Sequence, residues 1–162
     1  MIKIPKKEKL RKVINFFKKK GLFLLLEAAK EQPLKVNELK RVKPYRPELI
    51  DLYNLYQFII KNKRITSLEF GCGWSSLVIA LALRENKKKY SAQIKNLRRN
   101  NAFQNYVVDN EKKYLKISKN RIKEFDQTLL KENFFLFSKA KIVKNDFRYV
   151  TEFKELPNIN YV

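Results

Sequence analysis

Ile65-Thr66-Ser67-Leu68-Glu69-Phe70-Gly71-Cys72-Gly73-Trp74-Ser75-Ser76 is a strand-like run that ends in an acid and two spaced glycines, and an apolar helical run, Leu77 to Leu83, follows at once. Two of the three glycines in the chain lie in this loop. A residue without Cβ lets backbone amides approach a ligand closely. A helix beginning at Ser75 or Ser76 turns its unpaired N–H groups and partial positive charge on the same spot. The pattern predicts a nucleotide-type pocket at the carboxyl end of the first strand of a parallel sheet.

Outward from this loop the chain alternates. Ahead of it, Pro47 opens a helix with Leu49, Leu52, Tyr53, Tyr56, Ile59 and Ile60 on one side, a spacing that marks core. Behind it, the helix is expected over Ser75–Glu85, then a polar, basic stretch from Asn86 to Asn105. A second strand, Tyr106–Val108, ends in Asp109, and a helix over about Glu111–Leu130 carries Tyr114, Leu115, Ser118, Ile122, Phe125 and Leu129 along one face. A third strand falls at Phe134–Phe137, with Lys141–Val143 as the competing choice, and Ile159–Val162 approaches another. Strands alternating with helices imply βαβ units and a right-handed parallel sheet. The fold class is therefore α/β, a Rossmann-like parallel sheet of about three to four strands with flanking helices.

Residues 1–46 read as a basic helical N-terminal extension. Leu10, Val13, Ile14 and Phe17 recur at helical spacing, Gly21 interrupts, and Leu22–Ala29 forms a second short helix. The connector at residues 33–47 holds Pro33, Pro44 and Pro47. No apolar run approaches the roughly 20 residues a bilayer requires. Leu22–Leu26 is too short, and too closely followed by charge, for a secretory signal.

The 162 residues suffice for one domain with a real core, and 44% hydrophobic content agrees. Histidine is absent, which excludes a His general base, a Ser-His-Asp triad and a His-ligated metal. The single cysteine, Cys72, excludes a disulfide framework, a CxxC zinc site and an iron–sulfur cluster, and suits a reducing cytoplasm. The charge is extreme: 37 Lys+Arg against 16 Asp+Glu, net +21. Such a field draws nucleic acid, anionic membrane or an anionic substrate, although drift toward AT-rich codons also favours lysine.

Three acids stand where strands meet loops: Glu69, Asp109 and Asp146. In a parallel sheet of adjacent strands these ends converge on one edge. Two carboxylates there accept hydrogen bonds from an ammonium group and from vicinal ribose hydroxyls, while the loop amides take a carboxylate or phosphate. S-adenosylmethionine, a zwitterionic nucleoside, satisfies all of them. A dinucleotide is the rival ligand, but it wants GxGxxG and the third position here is Ser76. A Walker loop is excluded, since Gly-Lys-Ser/Thr is missing.

Leu68-Glu69-Phe70-Gly71-Cys72-Gly73 resembles the first motif of the class I S-adenosylmethionine-dependent methyltransferases. Val107-Val108-Asp109-Asn110-Glu111-Lys112-Lys113-Tyr114-Leu115 is similar to their second-strand motif, an acid followed by an aromatic residue on the next helix. The resemblance covers residues 47–162, which it implies are a partial methyltransferase-like domain. It implies that Gly71 and Gly73 contact the methionine moiety, that Glu69 faces its amino group, that Asp109 holds the ribose hydroxyls, and that Cys72 and Ser75 belong to the same cofactor-binding loop. It leaves the methyl acceptor and any catalytic residue open. The interval from Gly73 to Asp109 exceeds the roughly 20 residues of compact versions of such folds, so a basic insertion is expected between them. The family's sheet has seven strands in the order 3-2-1-4-5-7-6. The expectation is of its cofactor-binding half, as in a truncated or split product.

Each residue also has a plainer reading. The glycines make a tight turn, Glu69 pairs with Lys63 or Arg64, Asp109 caps the helix near Glu111, and Cys72 and Trp74 pack. The alternative for the whole chain is a basic nucleic-acid-binding protein without enzymatic activity, in which Lys6–Lys20, Lys87–Lys89 and Arg98-Arg99 grip phosphates.

Overall fold

A computed structural model of the protein describes residues 2–6, 8–31, 45–96 and 100–157. Three strands, β1 (Thr66–Phe70), β2 (Gln104–Asp109) and β3 (Asn133–Phe137), form a parallel sheet in the order β1-β2-β3. Thr66 pairs with Gln104 at one end of the β1–β2 ladder, and Asp109 with Phe137 at the far end of β2–β3. The crossovers are helical, as parallel pairing demands. Helix α4 (Trp74–Ile94) joins β1 to β2. Helix α5 (Lys112–Asp126) and a 3₁₀ turn (Gln127–Glu132) join β2 to β3. With helices ahead of it, this is an α/β architecture consistent with an incomplete Rossmann-like fold.

Helix α4 is the pillar of the molecule. Leu77 through Leu83 are all buried, so its first half is apolar on every side, the pattern of a helix enclosed by other elements. It runs nine residues beyond Glu85, because Lys87–Lys89 are good helix formers and nothing in the stretch breaks it. Asn86, fully buried, donates to Ile59 O at 3.1 Å and Arg64 O at 2.7 Å. It thereby satisfies carbonyls around the end of α3 (Leu49–Lys61) and the approach to β1. Pro47 is buried ahead of α3, which begins two residues later at Leu49.

The N-terminal helices share the central core. In α1 (Leu10–Lys19) and α2 (Phe23–Ala28), Val13, Phe17, Leu25 and Leu26 join one apolar cluster with Leu52, Tyr56, Leu77 and Ile122. Gly21 turns the chain between the two helices at φ +74°, a left-handed conformation. Phe16 makes edge contacts with Phe17, Tyr53 and Tyr56, and Lys20 pairs with Glu85, which also accepts from the Tyr56 hydroxyl.

The helix expected to reach Leu130 stops at Asp126. That residue adopts an extended backbone and caps the 3₁₀ turn by accepting from Thr128 N–H at 2.9 Å. The two candidates for the third strand are both strands, in different sheets. Phe134–Phe137 belongs to β3, whereas Lys141–Val143 lies in β4 (Ala140–Asn145), which pairs antiparallel with β5 (Arg148–Phe153) in a separate hairpin. Asp146 therefore sits at the hairpin turn, exposed, with φ +50°, and does not join Glu69 and Asp109 at the sheet edge. The prolines Pro33 and Pro44, the pair Arg98-Arg99 and the stretch Ile159–Val162 lie outside the described residues. Among the described residues, no helix is long and apolar enough to cross a membrane.

Candidate functional site

A cleft of about 460 Å³ opens at the carboxyl ends of β1 and β2. Glu69, Gly71, Cys72, Gly73, Ser75 and Asp109 all line it, so the structure brings these six residues together. Its size falls within the range of small-molecule sites, roughly 300–1,000 Å³.

The loop is built by its hydrogen bonds. Gly71 N–H donates to Val108 O at 2.8 Å, extending the β1–β2 ladder by one rung, and its φ of +79° is a conformation that glycine adopts without steric cost. A Cβ at Gly71 meets nothing within 4 Å, so the requirement is one of backbone, not space. Gly73 is extended and makes no such demand. Cys72 N–H donates to Asp109 Oδ2 at 2.8 Å, and Glu111 N–H to Asp109 Oδ1 at 2.8 Å. Gly73 N–H reaches Ser76 Oγ at 3.3 Å, and Ser118 Oγ donates to Gly73 O at 3.1 Å.

These bonds revise one expectation. The amides of residues 71, 72 and 73 are engaged within the protein rather than held for a ligand. The amides left for an anion are those of the first turn of α4, beginning at Trp74 and Ser75, which have no intrahelical acceptor.

The two carboxylates differ in character. Glu69 accepts from both serines at the start of α4: from Ser75 Oγ, and from Ser76 Oγ at 2.7 Å. It does not pair with its basic neighbours. Lys63 lies over the Tyr90 ring at 5.3 Å and Arg64 over Phe58 at 5.6 Å. Burial raises the Glu69 carboxyl to about 7; the serine hydroxyls oppose that rise and the nearby Asp109 charge adds to it. Asp109 is buried and accepts an amide on each oxygen and a further hydrogen bond from the Cys72 thiol, which leaves about one lone pair open toward the cleft. Burial, then a hydrogen bond to Asp109, pushes the Cys72 thiol well above its ordinary value, so it is a poor nucleophile.

Arg46, Ile117 and Arg121 also line the cleft, and no motif in the sequence marks them. Arg121 stacks on Trp74, its guanidinium carbon 4.0 Å from the ring centroid, so the indole is covered by a cation. Arg46 donates to Glu48 at 3.1 Å, and Tyr114 and Ile117 complete the wall from α5. Positions 114, 117 and 121 share one helical stripe, and extending the Tyr114 face by three and seven residues would have found the other two. Among the described residues no cluster of three or more His, Cys, Asp or Glu side chains is poised to hold a metal.

Comparison with known proteins yields no match: no family model, no curated protein and no solved structure is significantly similar to the chain. The chemistry of the cleft thus carries the functional argument.

Proposed function

We propose that the cleft binds S-adenosylmethionine and that the protein is a methyltransferase-like domain. The observation that carries this reading is the pair Glu69 and Asp109, two carboxylates from adjacent strand ends lining one ligand-sized cleft beside the first turn of α4. The donor set suits a zwitterionic nucleoside. Glu69 accepts from an ammonium group, the lone pair left open on Asp109 accepts from a ribose hydroxyl, and the α4 amides at Trp74 and Ser75 take a carboxylate. When bound, this cofactor supplies a sulfonium methyl group that an acceptor nucleophile displaces in line. The chain's own part is to orient, to neutralise charge and to exclude water, which requires no histidine. A lone, half-buried thiol suits a reducing compartment such as the cytoplasm.

Calorimetric titration with S-adenosylmethionine and S-adenosylhomocysteine tests the reading. Near-stoichiometric binding by the natural chain, lost in Glu69→Ala, is expected. No binding heat from the correctly folded natural chain rejects it.

A further inference from the structure

The β4–β5 hairpin is a ribbon fastened at its base. Ser138 N–H donates to Asp109 O at 3.0 Å, Glu155 N–H to Ser138 Oγ at 2.8 Å, and Lys154 N–H to Lys139 O at 2.9 Å. Beyond the base, large apolar side chains face water: Phe147 at the turn is fully exposed, and Tyr149 is 75% exposed. Directly opposed residues share a face, and every second residue returns to it. The pairs Lys144↔Tyr149, Ile142↔Thr151 and Ala140↔Phe153 therefore form one side of the ribbon. Phe153 in turn packs on Phe70, ring centroids 5.1 Å apart, and Phe70 is more than half exposed and lines the cleft. Tyr149 and Phe153, with Thr151 between them, thus share a face that leads to Phe70 at the mouth of the candidate site.

The cations complete the pattern. Lys144 lies across from Tyr149 on the ring face, while Arg148, the register partner of Asn145, stands on the opposite face beside the turn; neither is in an ion pair among the described residues. Rings that stack on any base, interleaved with cations for the phosphates, are the elements of single-strand recognition. The chain's net charge of +21 favours an anionic partner, and the exposed rings beside it favour one that presents bases to stack on.

We propose that this hairpin is a docking arm for single-stranded nucleic acid, guiding it along Tyr149, Phe153 and Phe70 toward the cleft. That nucleic acid is the methyl acceptor rests on the function proposed above; docking itself does not. Fluorescence anisotropy with labelled 15-nucleotide oligo(U) and oligo(dT), at 50 to 300 mM salt, tests it. We expect affinity to fall steeply with salt, and Phe147→Ala with Tyr149→Ala to weaken binding about tenfold or more. Tyr149→Phe, which keeps the ring, should restore most of the loss due to Tyr149→Ala, excluding misfolding as its cause. Lys144→Gln with Arg148→Gln should flatten the salt slope by about 1.4, roughly 0.7 for each cation. Ring variants that bind like the natural chain overturn the proposal. So does sedimentation with phosphatidylserine vesicles that depends on these rings while oligonucleotide binding does not. Oligonucleotide binding without cofactor binding would retain the arm and reject the methyltransferase reading; cofactor binding without oligonucleotide binding would do the reverse.

Discussion

The Asp109 carboxylate, at the end of β2, holds the amide of Cys72 at 2.8 Å and so ties the loop after β1 to the neighbouring strand. Its other oxygen holds the Glu111 amide at the entrance to α5. One side chain thus fixes two backbone segments around the cleft. Asp109→Ala leaves two amides in a poorly solvated place and should cost about 2–3 kcal/mol, since hydrogen bonds to charged groups contribute about 1.5–3 kcal/mol. Urea denaturation measures this, with an unchanged m-value expected. Asp109→Asn keeps one acceptor and should recover part of the loss. A neutral Asp109→Ala would show that the loop is held by other contacts.

Glu69 predicts a pH dependence of a particular sign. Its folded value of about 7 lies above the ordinary carboxyl value, so the folded state binds a proton that the unfolded chain has released. Stability from this residue is full below the unfolded value, is lost as pH rises toward 7, and is flat above it. Glu69→Gln, which cannot ionise, should therefore be more stable than the natural chain at pH 8 by about 1–3 kcal/mol and should show little difference near pH 4. Equal stability differences at both pH values would contradict the assignment.

The same carboxyl sets the pH profile of cofactor binding under the proposed function. An ammonium group requires ionised Glu69, so affinity should fall about tenfold per unit below pH 7 and level off above it. Below pH 7 binding should release a proton. Calorimetry at pH 6 in two buffers of different ionisation heat measures that release directly. Equal heats in the two buffers would remove Glu69 from the ammonium contact.

Local signals made part of this legible from sequence. Strand, glycine loop and apolar helix are contiguous from Ile65 to Leu83, and the parallel order follows from short strands alternating with long helices. The contacts that the sequence concealed are long-range. Asp109 reaches back to Cys72, so it could not be foreseen that the loop amides are spent within the protein. Asn86 looks like a solvated residue ahead of a lysine run, yet it is buried because it serves the carbonyls of α3 and the segment before β1. The hairpin was hidden for a different reason. Asn145-Asp146-Phe147 lacks the Asn-Gly or Asp-Gly signature, and Asp146 supplies the positive φ instead. Asp146 accordingly lies at the hairpin turn and not at the sheet edge.

The N-terminal helices should be indispensable to folding. Phe17 is fully buried against Phe16 and the central cluster, so Phe17→Ala should cost about 3–5 kcal/mol. Removing residues 1–31 strips Val13, Phe17, Leu25 and Leu26 from α3 and α4 and should abolish cooperative unfolding. A sharp thermal transition in that shortened chain would show that the sheet and its own crossover helices suffice.

The sheet carries a polar ladder at a single level. Ser67 on β1, Asn105 on β2 and Asn133 on β3 are register partners. Ser67 Oγ donates to Asn105 Oδ1 at 2.7 Å, Asn105 Nδ2 donates to Asn133 Oδ1 at 3.0 Å, and Asn133 Nδ2 reaches Leu129 O at 2.6 Å. A slip of one residue would set Asn105 against Phe134 or Glu132 neighbours and turn its side chain to the other face, so the ladder penalises wrong registers as well as binding the right one. Asn105→Val should cost about 2–4 kcal/mol, because it leaves the Ser67 hydroxyl and the Asn133 carbonyl unpaired. Ser67→Ala removes the same Ser67–Asn105 bond. The double variant should therefore cost less than the two single changes together, by about 1 kcal/mol. Additive costs in denaturant titrations would mean that the two side chains are not coupled and that register is set by the apolar faces alone.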